Sequence, residues 1–132
     1  MKKAVTGKSK KIKLVKGNVE VDLELVYDVS GNDAAYLALM IETFLNSMPG
    51  TMEKIKHYCA DEDWDNLFKS AHFAKSSYSV IKVSGMLELL KQVEINTKSK
   101  TNVYALPAIV QEISEKYKLA EEILKTEFNI YS

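Results

Sequence analysis

Arginine is absent from the 132 residues, cysteine occurs once, proline twice, histidine twice and glycine five times. Each scarcity removes a class of protein. Without arginine the chain lacks the usual bidentate reader of guanine edges, which argues against a nucleic-acid partner. A single cysteine excludes an intramolecular disulfide framework and any multi-cysteine zinc site. No apolar run approaches the roughly 20 residues needed to cross a bilayer. Met1-Lys2-Lys3 is followed by polar Thr6, Lys8 and Ser9 instead of the apolar core of a signal peptide. The expectation is a cytoplasmic protein with no membrane partner. Several catalytic signatures are missing as well: no glycine-rich phosphate loop, no G-x-S-x-G elbow, no H-E-x-x-H. Glu42 and Glu53 lack the Glu-x-x-His element of di-iron bundles.

What is present is charge, unevenly spread. The formal net charge is zero, but seven of the 18 lysines fall within the first sixteen residues, which hold no acid. The other 11 lysines face all 18 acids. The first eighteen residues, polar and carrying Gly7 and Gly17, read as a lysine-rich tail (1–18) ahead of one domain (19–132). A chain of this length can bury roughly two thirds of its unfolded surface, enough for one core. Met1 and the size favour a free-standing protein.

Val19, Val21, Leu23 and Leu25 alternate with Glu20, Asp22 and Glu24, the pattern of a strand. Asp22 could equally cap a short helix built on Leu23, Leu25 and Val26. No partner strand is evident in the rest of the chain, so the reading leans to the helix. Ser30-Gly31-Asn32-Asp33 reads as a turn containing a helix cap. Leu37, Ile41, Phe44 and Met48 then predict a helix over 33–47. Pro49-Gly50 reads as punctuation, and Met48, Met52, Ile55 and Cys59 predict a second helix ending near Ala60. Behind the acidic start Asp61-Glu62-Asp63, a third helix carries Trp64, Leu67, Ala71, Ala74, Tyr78 and Ile81. A fourth, with Met86, Leu90 and Val93, fades at the polar run 96–100. Thr101 or Asn102 caps a fifth that carries Leu106, Val110, Ile113, Tyr117, Ala120 and Leu124. The expected fold is all-α, an antiparallel up-down four-helix bundle with a short extra N-terminal helix or extended segment.

The third helix holds the candidate chemistry. His72 lies one residue past the stripe position Ala71, about 100° around the helix, so it sits at the edge of the buried face. Lys69, Lys75, Ser76, Ser79 and Lys82 lie on the same side by spacing. A neutral imidazole is a nucleophile. A lysine one turn away can hold a phosphoryl group on the ring by a charge-assisted bond. Small serines leave room for another protein. This suits a phosphoryl carrier better than a general base, which needs an enclosed pocket and an orienting carboxylate. His57 reads as structural or exposed, Cys59 as a buried small hydrophobe, and no metal site is expected.

Ala71-His72-Phe73-Ala74-Lys75-Ser76-Ser77 resembles the A-H-x-x-K-[GS]-S signature of histidine-containing phosphotransfer (HPt) domains. Ser30-Gly31-Asn32-Asp33 with Tyr36-Leu37 and Phe44, then Pro49, Asp63-Trp64 and Leu67, and Met86, Leu90 and Val93-Glu94 resemble the family's pattern on either side. The likeness covers about residues 20–128. The chain departs from the pattern at Ser76 and Lys82, where many members carry glycine, and at Ala74, where a bulkier residue is usual. The resemblance implies a phosphorelay intermediate: His72 takes a phosphoryl group from a receiver-domain aspartyl-phosphate and passes it to another receiver. It implies a phosphohistidine carrier without autonomous kinase activity. Lys75, Ser76 and Glu94 would support the ring, Glu94 as the partner of its second nitrogen with Gln92 in reserve. Lys69, Ser79 and Lys82 would help dock the receiver. Implied partners are receiver domains and a hybrid sensor histidine kinase. The carrier would be a monomer with no cofactor of its own, Mg²⁺ being held by the receiver. The alternative is a non-phosphorylated helical adaptor on an HPt-like bundle.

Overall fold

A computed structural model describes residues 12–130. Residues 1–11 of the expected tail lie outside the described residues. The described chain is mostly helical, with five α-helices and a small three-stranded sheet. The order is β1 (Lys13–Lys16), β2 (Val19–Asp22), α1 (Glu24–Ser30), α2 (Ala34–Ala60), α3 (Trp64–Tyr78), β3 (Lys82–Val83), α4 (Met86–Ser99) and α5 (Leu106–Phe128). A single 3₁₀ turn, Val103–Ala105, leads into α5.

The sheet corrects the expectation of an all-α chain with its tail running to residue 18. Val19, Val21 and Leu23 are buried, so the alternation is a strand signal, and the short helix read there follows it as α1, with Asp22 Oδ1 accepting from Glu24 N–H at 2.9 Å. The partners lie on both sides in sequence. Antiparallel β1 pairs Leu14 with Val21 and Lys16 with Val19, and β3 pairs Val21 with Val83. Gly17, at φ +61°, supplies the left-handed conformation that a two-residue hairpin turn requires at its first central position. Leu23 N–H donates to the Ile12 carbonyl at 2.7 Å, carrying the ladder one pair further. The buried side of the sheet packs on α5.

Helix α2 is the second correction. Pro49-Gly50 does not divide it; one helix of 27 residues runs from Ala34 to Ala60 with Pro49 inside. Proline removes one backbone donor and disfavours a helix interior by about 3 kcal/mol. The apolar stripe overrides that local cost. Ile41, Phe44, Met48, Met52, Ile55 and Cys59 stay in phase through the proline, and all are buried. Asp33 caps the start, its side chain accepting from Tyr36 N–H at 3.0 Å. Helix α4 likewise runs further than its sequence suggests. Asn96 and Thr97 are buried, and Thr97 Oγ1 donates to the Val93 carbonyl at 2.7 Å.

Helix α3 packs on both α2 and α4, and α5 closes against α2 and α4 in turn. Three aromatic rings pin this arrangement. Phe44 of α2 meets Tyr78 of α3 edge-on at 5.4 Å between centroids, and Tyr117 of α5 lies 6.5 Å from Phe44. The Tyr78 hydroxyl is buried with no hydrogen-bond partner among the described residues, and burial raises its pKa above the ordinary tyrosine value. An unpartnered buried hydroxyl costs free energy that a phenyl ring does not. Replacing Tyr78 by phenylalanine is therefore expected to stabilise the protein by about 1 kcal/mol. A urea denaturation midpoint that rises at unchanged slope is the confirming result; a fall of similar size shows that the hydroxyl is partnered in solution.

Candidate functional site

The site is built where α3 and α4 pack. Asp63 sets the start of α3: its side chain accepts from Asn66 N–H at 3.3 Å and from Asn66 Nδ2 at 2.8 Å. Leu67, Ala71, Ala74 and Tyr78 form the fully buried stripe. That phase leaves His72 outside, with its side chain 68% exposed. On α4, Leu90 and Val93 face the core and carry Glu94 inward beside them. The Glu94 side chain is only 9% exposed, yet it is charged.

Both carboxylate oxygens of Glu94 are satisfied by α3. Oε2 lies 2.6 Å from His72 Nδ1, and Oε1 accepts from Lys75 Nζ at 2.7 Å. Burial pushes the Glu94 carboxyl upward. The bonds from Lys75 and His72, with the lysine's charge, outweigh it and hold the group below the ordinary glutamate value. An ionised carboxylate can only accept, so Nδ1 carries the hydrogen. In the neutral ring Nε2 is then the nitrogen with a free lone pair. Phe68, one turn earlier on α3, stacks on the imidazole with centroids 5.9 Å apart and planes 10° off parallel. Lys98 of α4 places its ammonium 5.9 Å from the Phe68 centroid.

Of the residues singled out from the sequence, the structure brings together His72, Lys75 and Glu94. Gln92, held in reserve, is exposed and makes no hydrogen bond with the ring. Ser76 on α3 and Ser79 just past its end lie exposed and fold back on its carbonyls, Ser76 Oγ to Phe73 at 2.8 Å and Ser79 Oγ to Ser76 at 2.6 Å. They present small surfaces beside the ring and donate to nothing across the helix. Lys69 is exposed on α3 and forms no ion pair among the described residues. Lys82 is displaced from the expected helical face. Helix α3 ends at Tyr78, and Lys82 stands on β3 opposite Asp22. Ile81 and Val83 are buried around exposed Lys82, an in-out-in strand pattern that the helical reading overran. The positive groups of the face are thus Lys69 and Lys98, while Lys75 is committed to Glu94.

Phe68 and Lys98 carry no motif that marks them in the sequence. The i,i+4 spacing of Phe68 to His72, and of Lys98 to Glu94, is the signal that could have found them. His57, on α2, bonds Asp61 at 3.0 Å and takes no part. Among the described residues no three His, Cys, Asp or Glu side chains gather as a metal site. None of the described helices is long and apolar enough to cross a membrane. No family model matches the chain, and neither a curated protein nor a solved structure resembles it significantly.

The Glu94 arrangement makes a signed pH prediction. A carboxyl whose folded-state pKa is depressed stabilises the fold fully above its unfolded value of 4.5, and loses that contribution as the pH falls through the lower folded value. Urea midpoints measured from pH 7 down to pH 3 should fall less steeply below about pH 4.5 for Glu94→Gln than for the parent. Parallel curves would show that Glu94 is not charged and bonded in the folded protein.

Proposed function

We propose that this protein is a phosphohistidine carrier of the histidine-phosphotransfer type, relaying a phosphoryl group between receiver domains through Nε2 of His72. The observation that carries the reading is the Glu94 carboxylate bonded to both His72 Nδ1 and Lys75 Nζ while the imidazole remains exposed. A structural histidine needs no such orientation toward solvent. The finer architecture is part of the same reading: α2, α3, α4 and α5 as an antiparallel up-down four-helix bundle, supported by their closed ring of neighbour contacts.

In this reading the geometry supports the following chemistry. The Nε2 lone pair attacks the phosphorus of a receiver's aspartyl-phosphate. The N–P bond forms as the acyl P–O bond breaks, and the aspartate leaves as a carboxylate. Nδ1 keeps its hydrogen, so the phosphorylated ring carries delocalised positive charge, and Glu94 lies 2.6 Å away to stabilise it. Lys75, 30% exposed, can turn one donor toward the phosphoryl oxygens while holding Glu94 with another. Phe68 limits ring rotation from one side. Transfer of this kind depends on positioning and charge more than on covalent help from the protein. Mg²⁺ belongs to the receiver in this scheme, and the carrier contributes no metal ligand. Ser76 and Ser79 border the approach and Lys69 offers it positive charge, whereas Lys82, beside Asp22, would touch only a broad partner. The carrier is read as a cytoplasmic monomer that meets receivers fed by a hybrid sensor kinase.

The test uses phosphorylated receiver domains as donors. The parent chain should acquire an acid-labile, base-stable label, and His72→Ala should acquire none. Loss of one charge-assisted bond in Lys75→Ala or Glu94→Gln should slow transfer about 10- to 100-fold without unfolding the protein. A label that persists in His72→Ala removes this residue from the role. Absence of label from a panel of receivers that nonetheless bind favours the adaptor.

A further inference from the structure

A second polar concavity opens between α2 and α3, beside the His72 face but sharing none of the bonds to Glu94. It has a volume of about 300 Å³. Lys54 of α2 and Lys69 of α3 line it from opposite helices, and no carboxylate is part of its lining. Neither lysine forms an ion pair among the described residues. Two like charges on one concavity repel each other, and an anion between them reverses that sign.

The hydroxyl groups point to the same chemistry. Thr51 is nine-tenths buried, lines the cleft and makes no hydrogen bond among the described residues, not even to its own helix. Ser70 and Tyr58 also line it with hydroxyls that make none there. Asn66, which also lines the cleft, is engaged with Asp63 through its N–H and its Nδ2. The cleft therefore offers two ammonium groups and three uncommitted hydroxyls, a donor-rich set that suits the several oxygens of a phosphate. Its volume exceeds what a bare phosphate fills and falls at the lower bound of small-molecule sites, near 300 Å³. Two aromatic rings supply a place for the remainder. Tyr58 stands on one wall and Phe73 on the other, and Phe73 is 63% exposed with no ring partner among the described residues.

We propose that this cleft binds a phosphate-bearing small molecule, its phosphoryl oxygens held by Lys54, Lys69 and the Thr51 hydroxyl and its ring system set between Tyr58 and Phe73. The site is separate from the carrier chemistry and stands whether or not His72 is phosphorylated. Because Lys69 and Phe73 flank His72 on α3, an occupant would border the surface where a partner approaches the ring.

The test is a titration of the isotopically labelled full chain, followed by amide resonances, with three probes: a nucleoside monophosphate, inorganic phosphate and the unphosphorylated nucleoside. Saturable shifts confined to 51–58 and 66–73 are expected with the monophosphate, weaker binding with phosphate, and none with the nucleoside. The double variant Lys54→Gln/Lys69→Gln changes only exposed side chains and should weaken the monophosphate at least about tenfold. His72→Ala should leave its affinity unchanged, which separates this site from the carrier reading. Failure of both phosphate probes to saturate overturns the proposal. So does an affinity indifferent to the double variant.

Discussion

A carboxylate withdrawn from water must be answered by donors, and Glu94 is answered twice, by an imidazole and an ammonium one turn apart on the facing helix. That requirement fixes more than a side chain. Only one rotation of α3 presents positions 72 and 75 to α4 together, and only one axial offset brings both within bonding distance. The same rotation puts Leu67, Ala71, Ala74 and Tyr78 into the core. Polar and apolar demands on α3 therefore select the same orientation, the consistency expected of a sequence that specifies one structure. Losing either partner would leave a buried charge half compensated, which is costlier than never having made the pair.

The apolar framework is equally economical. Tyr78 and Tyr117, from two helices, both meet Phe44 of a third, so the position of α3 is fixed through Tyr78 as well as through Glu94. Helix α2 passes that contact and continues to the basic cleft without interruption at Pro49. One continuous helix thus carries both Phe44, which meets Tyr78 of α3, and a wall of the cleft. At about 1.5 Å per residue it spans on the order of 40 Å.

Where packing set the structure, the sequence was readable. The stripe Leu106, Val110, Ile113, Tyr117, Ala120 and Leu124 is buried at every position. Asp33 and Asp63 cap the helices that begin just after them. Local rules misled where a longer-range contact overruled them. Pro49 is a breaker by propensity, but the stripe through Met48 and Met52 holds the helix together. Asn96 and Thr97 look like loop residues by polarity, yet Thr97 satisfies itself on the Val93 carbonyl and stays buried. Lys82 sits at a helical spacing from His72, but Ile81 and Val83 commit it to a strand. The pairing of His72 with Glu94 spans 22 residues, and no periodicity connects such positions. Only the motif likeness pointed to it. Phe68 and Lys98 had no motif to draw attention to them.

The sheet has a temporal side. Strand β2 lies in the middle, paired with β1 through a two-residue turn and with β3 across some sixty residues of chain. The hairpin can close within microseconds of its synthesis. Among the described residues its other edge has no strand to pair with until Val83 emerges, by which time α1, α2 and α3 have been made. Ser84 then accepts from Glu20 N–H with its side-chain oxygen and donates its own N–H to the Glu20 carbonyl. The entropic cost of closing so long a loop is met only once the helices between have collapsed. The earliest strands of the described chain are thus completed by its middle, and an open edge persists through the interval in which a nascent chain is most exposed to mispairing.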